Sequence, residues 1–199
     1  MGLNLHYEYG QTPLDAEELT GIKIGSISTK AELDQFEQQN IEEAILWGLN
    51  KKWNVEKVLT EAFIKDLHRR MFINVWRWAG VFRRTEKNIG VLSHQIPTAL
   101  RQLLDDARFW YSHQVFEPDE MALRFKHRLV SIHCFPNGNG RHSRLMADIV
   151  MEKLFDLPVF SWGRDQAHKG GSAVRKDYIS SLKAADIRRI KPLLAFARS

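Results

Sequence analysis

The chain has 199 residues, 44% of them hydrophobic, with six Trp, a single Cys and a formal net charge of +5. That length suits one domain, and the apolar content is enough for a sizeable core. The lone Cys134 excludes an intramolecular disulfide framework. No apolar run reaches the length of a membrane span and no signal-peptide core is present, so a cytoplasmic protein with no membrane contact is expected. Basic pairs such as Arg69-Arg70, Arg83-Arg84 and Arg188-Arg189 are short and dispersed, and read as solvated faces. With no arginine-rich helix or zinc module, nucleic-acid binding has little motif support.

Residues 1–28 read as an irregular N-terminal arm, because Gly2, Gly10, Pro13, Gly21 and Gly25 interrupt any period. Tyr7, Tyr9, Leu14 and Ile22 are its candidate anchors. Thr29-Lys30-Ala31-Glu32 is a capping-box pattern that opens the main domain, residues 29–199. Leu33, Phe36, Asn40, Ile41, Ala44, Ile45, Gly48 and Leu49 follow at helical spacing. Asn40, polar on that stripe, is expected to bond a neighbouring backbone group. Thr60 caps the next predicted helix, whose buried face is Phe63, Ile64, Leu67 and Met71. His68 beside that face reads as a packed or surface histidine, and Trp76 and Trp78 as core.

Residues 81–96 change to β-formers: Val81, Phe82, Ile89, Val91 and Leu92. A short β-hairpin or extended flap is predicted, carrying Arg83, Arg84, Thr85 and Lys87 and able to pair with a peptide strand. Pro97 and Pro118 each suit the first turn of a helix. The first presents Leu100, Leu103, Leu104, Ala107 and Trp110; the second presents Met121, Phe125, Leu129 and Ile132. A further helix carries Leu145, Ile149, Val150 and Leu154, and two closing helices turn Tyr178, Leu182, Leu193 and Leu194 inward. The fold class is therefore all-α: a helical bundle around a central helix–loop–helix, with one short hairpin flap.

That central loop runs from His133 to Arg144 and holds Gly138-Asn139-Gly140 with Arg141 and Arg144. A helix start offers unpaired N–H groups and partial positive charge, which suits phosphate. Two arginines in the first turn are unfavourable unless an anion joins them. The pattern points to a nucleotide or phosphate pocket with His133 as proton acceptor. A metal hydrolase using His127, His133 and His142 is disfavoured, since they do not share one helical face and no His-Glu-x-x-His pattern occurs. The glycine spacing is not that of a P-loop.

The segment resembles the Fic family motif, His-x-Phe-x-Asp/Glu-Gly-Asn-Gly-Arg-x-x-Arg, through His133, Phe135, Gly138, Asn139, Gly140, Arg141 and Arg144. The Trp78-Ala79-Gly80-Val81-Phe82-Arg83 run and the Arg175-x-x-Tyr178-x-x-x-Leu182 tail also look like a Fic domain, and the subgroup most similar is the one called mobile mystery protein B. The resemblance implies a protein adenylyltransferase that moves AMP from ATP, with Mg²⁺, to a Tyr, Ser or Thr hydroxyl of a target protein. In that reading His133 is the base, and Gly138, Asn139 and Gly140 form the anion hole. Arg141 and Arg144 hold the outer phosphates, and Tyr178 lines the adenine pocket. Thr85, Lys87, Asn88, Ile89 and Gly90 form the flap that docks the target.

In the same reading Asn137 is the Mg²⁺ ligand: it stands where the family has an acidic residue, and its amide oxygen can coordinate the ion but brings no negative charge. Alternatives are therefore a different phosphate-containing donor, or a catalytically weak module that binds a nucleotide or partner. The family's inhibitory pattern, Ser/Thr-x-x-x-Glu-Gly/Asn, is only partly met by Ser28 to Leu33, although Glu37, Glu42 or Glu43 could serve unconventionally. Restraint is expected to be absent or to come from a separate inhibitor protein.

Overall fold

Hydrophilic caps and apolar stripes set the helices of the computed structural model, which describes residues 12–164, 166 and 171–199. The candidate anchors Tyr7 and Tyr9 lie outside the described residues. In chain order the helices are α1 (Ala16–Leu19), α2 (Lys30–Asn50), α3 (Val55–Val58), α4 (Glu61–Phe72), α5 (Ile96–Ser112), α6 (Pro118–Ile132), α7 (Asn139–Leu154), α8 (Gly171–Asp186) and α9 (Lys191–Ala197). The all-α class holds.

The starts follow the sequence signals. Thr29 accepts the N–H of Glu32 while the Glu32 carboxylate reaches back to the Thr29 N–H, a complete capping box. Thr60 accepts from the N–H of Phe63, and Pro97 and Pro118 sit in the first turns of α5 and α6. Helices α6 and α7 pack on each other as the centre, with α2 against α4 and α7, and α5 and α9 against α6. Phe125, Met146, Ala147, Ile149, Val150 and Met151 are fully buried between these layers. Each large apolar side chain so buried contributes about 1.5–3 kcal/mol, which anchors the two helices on either side of the loop.

Two expectations change. On α2, Phe36 is 40% exposed while its neighbour Glu37 is buried, so the core stripe runs through the carboxylate rather than the aromatic ring. Asn40 behaves as expected, donating to the carbonyl of Phe36. The predicted β-hairpin is absent among the described residues: 81–92 form an extended loop with no ladder. The reason is Arg83, which is 3% exposed rather than on a solvated face. Its guanidinium takes the carbonyls of Thr85 and Val91, one from each arm of the loop, where a hairpin would pair the arms directly.

Residues 12–28 run over this loop. Ile22 bridges Trp76 in antiparallel fashion, and the Trp78 indole donates to the Glu18 carbonyl. Among the described residues, no helix is long and apolar enough to cross a membrane.

Candidate active site

α6 ends at His133, whose backbone is left-handed with φ 57° and ψ 59°. That conformation is uncommon outside glycine, with His, Asn and Asp enriched in it. It turns the chain into the loop 134–138. His133 is only 4% exposed, and neither Nδ1 nor Nε2 has a hydrogen-bond partner. Burial lowers its pKa to about 4, helped by the charges of Arg83 and Lys87; the Val130 carbonyl opposes the shift as the smallest contribution, without forming a hydrogen bond to either ring nitrogen. The ring is neutral near pH 7 and has lone-pair capacity to accept a proton. An orphaned buried polar ring is costly, and so points to a ligand or reactant.

The loop is tied down from α4 and from the start of α7. Asn139 uses its whole side chain on Phe135, accepting from its N–H at 3.0 Å and donating to its carbonyl at 2.7 Å. Phe135 is buried and stacks on His68 with ring centroids 3.7 Å apart. His68 is fully enclosed: Nε2 donates to the Asn137 carbonyl, and Nδ1 accepts from the Gly80 N–H, each at 3.0 Å. It thus joins the loop to the turn that starts the flap. Gly138 has φ +78°, and a side-chain carbon there would come within 2.5 Å of the Phe72 ring, so only glycine fits.

The first backbone bond of α7 runs from the His142 N–H to the Gly138 carbonyl. The N–H groups of Asn139, Gly140 and Arg141 therefore have no intrahelical acceptor. A side-chain carbon at Gly140 would meet nothing within 4 Å, so space is open beside these donors. Arg141 pairs with Glu37 at 2.6 Å and lies over the Phe72 ring. Arg144 stands over the Tyr178 ring, 5.5 Å from its centroid. The Tyr178 oxygen accepts from the fully buried amine of Lys126 at 2.5 Å. Burial and the nearby Arg144 hold the Lys126 pKa well below the ordinary lysine value, and burial raises that of Tyr178. Free helix N–H groups, open space and two guanidiniums suit a polyphosphate.

The five flap residues divide. Thr85 donates to Glu18 at 2.7 Å, and Lys87, its side chain only 3% exposed, pairs with Glu18 at 2.5 Å and Asp15 at 2.9 Å. Both are engaged by the segment 12–18. Asn88, Ile89 and Gly90 are exposed. Gly90, at φ +104°, passes so near His133 that a side-chain carbon would lie 2.7 Å from the His133 Cβ.

Asn137 does not fit a magnesium ion as arranged. Its Oδ1 accepts from the Gly138 N–H at 2.6 Å, its Nδ2 donates to the Thr12 carbonyl, and it carries no charge for a hard cation. Among the described residues, no group of three or more His, Cys, Asp or Glu side chains could hold a metal.

Sequence reasoning read Arg83 only as a basic flap residue, passed over Lys126, and offered Glu37 only as an unconventional inhibitory glutamate, whereas the acid pairs with Arg141. For the latter two a signal existed, a charged residue within an apolar stripe: Glu37 between Leu33 and Ile41, Lys126 between Ala122 and Leu129.

Residues 58–151 match the family model of the Fic/DOC family. Over that stretch the chain matches a Fic domain. Its His133-to-Arg144 loop lies inside the matched region. The protein adenylyltransferase fic-1 of Caenorhabditis elegans is 26% identical over 137 residues, 67% of this chain and 25% of the relative. The protein adenylyltransferase Fic of Nematostella vectensis is 24% identical over 175 residues, 86% of this chain and 39% of the relative. The chain thus spans about a quarter to two fifths of these curated relatives. Among solved structures, BepC of Bartonella tribocorum with bound AMPPNP shares the fold at TM-score 0.67 and 14% identity, covering 92% of this chain and 97% of that one.

Proposed function

We propose that this Fic domain is a protein adenylyltransferase, moving AMP from ATP to a hydroxyl side chain of a target protein. The observation that carries the reading is the neutral, unpartnered ring of His133 at the end of α6, on a loop that runs straight into the open N-terminus of α7. The names of the relatives support the transferase class, and the AMPPNP-bound neighbour of the same fold supports a nucleotide donor.

The target hydroxyl oxygen bonds to the α-phosphorus while its proton passes to His133. The bond between the α-phosphorus and the oxygen bridging to the β-phosphate breaks, and pyrophosphate leaves. Charge developing on the phosphates falls on the N–H groups of Asn139 and Gly140, donors that need no rearrangement. Gly138 makes the turn that aims them. Arg141 holds the middle phosphate once Glu37 shares it, Arg144 reaches the outer one, and Tyr178 lines the base pocket. Asn88, Ile89 and Gly90 offer the exposed edge of the flap to the target segment around its Tyr, Ser or Thr. The Asn137 amide, engaged by Gly138 and Thr12 and uncharged, leaves the phosphate charge to the α7 N–H groups and the two arginines.

The Asn137 amide and the Glu37–Arg141 pair favour a second reading, a domain that binds the nucleotide with little turnover. Incubation with α-labelled and, separately, γ-labelled ATP in a bacterial lysate distinguishes the two. Label on protein from the α position alone is the expected result. Nucleotide retention with no transfer from either position supports the binding module.

A further inference from the structure

Arg83 is buried without a buried carboxylate to balance it. Its nearest acid, Glu86 at 3.5 Å, is 53% exposed and is engaged by the N–H and hydroxyl of Ser93. The guanidinium is held instead by main-chain carbonyls: Nε donates to His133 at 2.7 Å, Nη1 to Thr85 at 2.8 Å, and Nη2 to Val91. Its own N–H donates to the Cys134 carbonyl at 2.9 Å. Burying a cation on carbonyls alone is expensive, so the geometry it imposes is the thing to explain. Two of its four partners flank the left-handed turn at His133, and two lie on opposite arms of the flap. The Val91 N–H completes the junction by donating to the Ile132 carbonyl.

We propose that Arg83 is a positioning residue for His133, one planar fork that fixes the turn presenting the imidazole and seats the flap at Gly90 against it. The inference rests on His133 being the base of the proposed reaction. Of the groups around the ring, Arg83 and Lys87 are the charged ones, and both favour its neutral form. Lysine at position 83 would keep the charge but lose the fork. A misplaced base loses rate even when its substrate still binds.

The test compares wild type, Arg83→Lys and Arg83→Met by NMR titration of the His133 ring, by the Gly90 and Val91 amide signals, and by kcat and KM for labelled ATP. In Arg83→Lys the ring is expected to titrate near its wild-type position, with shifted flap amides, kcat lowered about 10- to 100-fold and KM little changed. In Arg83→Met the ring is expected to titrate closer to the ordinary value of about 6.5. Should either variant fail to fold, Gly90→Ala probes the same junction with Arg83 intact. Its added carbon lies 2.7 Å from the His133 Cβ and 2.8 Å from the Arg83 Nη2, so the flap must lift and the His133 titration must move. Folded variants with unchanged flap amides and unchanged His133 titration overturn the proposal. The NMR readings need no transfer activity, so they decide the matter even if the transferase reading fails.

Discussion

Glu37 on α2 grips Arg141 on α7 at 2.6 Å, and the same carboxylate accepts the indole N–H of Trp76 at 2.6 Å. The acid is buried and the arginine about one-third exposed, so the pair puts a negative charge at the inner end of the proposed phosphate site. An anionic ligand at Arg141 must share it with Glu37. Glu37→Gln keeps the Trp76 bond and removes the charge. It is expected to tighten ATP binding about tenfold, or ~1.4 kcal/mol, measured by calorimetric titration. Unchanged or weaker binding would show that Glu37 holds Arg141 in its working position rather than competing for it.

Acid should loosen the fold before it reaches the surface carboxylates. His133 and His142 have pKa values lowered to about 4, and His68 is lowered well below 6.5, all chiefly by burial. Between about pH 6.5 and 4 the unfolded chain binds protons at these sites and the folded chain does not. Stability is therefore fully present above about pH 6.5 and falls as pH drops. Each histidine contributes a slope of about 1.4 kcal/mol per pH unit. Asp148, raised to about 6 by burial, works in the opposite direction over the same range. Urea midpoints at pH 7.5 and 5 should show a clear net loss at pH 5. In His68→Asn, one of the opposing histidine sites is gone, and the loss should be smaller.

Lys126 and Tyr178 are each other's polar partner in an enclosed place. Tyr178→Phe strands the amine and should cost about 1–3 kcal/mol. Lys126→Met removes the group whose burial is expensive and should cost less. The double variant should recover most of the Tyr178→Phe loss, which a double-mutant cycle of denaturation midpoints would read. Additive losses would mean that the bond is not what holds the pair.

Asn137→Asp supplies the charge a divalent cation wants and can still accept the Gly138 N–H, although it gives up the donation to Thr12. Mg²⁺ should tighten ATP binding to the variant several-fold more than to wild type. Equal Mg²⁺ dependence in both proteins would leave the metal held by the nucleotide alone.

Much of this fold is legible because its helices begin on side chains that can do little else there: Thr29 with Glu32, Thr60, Pro97 and Pro118. The candidate site is legible for a related reason. Gly138 and Gly140 beside two arginines conflict with a plain helix start, and a bound anion would resolve the conflict. What residue types do not reveal is where a long polar side chain goes. Arg83 has the same local signature as its exposed neighbour Arg84, yet its guanidinium gathers three main-chain carbonyls, and that of His133 is within its reach only once α6 and the flap have met. Nothing in the β-forming residues 81–92 says that a guanidinium will replace the strand ladder. Phe36 and Glu37 exchange places for a similar reason, since the Trp76 indole and Arg141 that satisfy the acid come from distant elements.

The central claim is that His133 performs the transfer and does not merely complete the loop. The most direct measurement is single-turnover transfer from α-labelled ATP, run beside equilibrium ATP binding, for wild type and His133→Ala. Binding retained with transfer lost in the variant is the expected result. Equal transfer by both proteins, or nucleotide binding by wild type with no transfer to any protein, would contradict it.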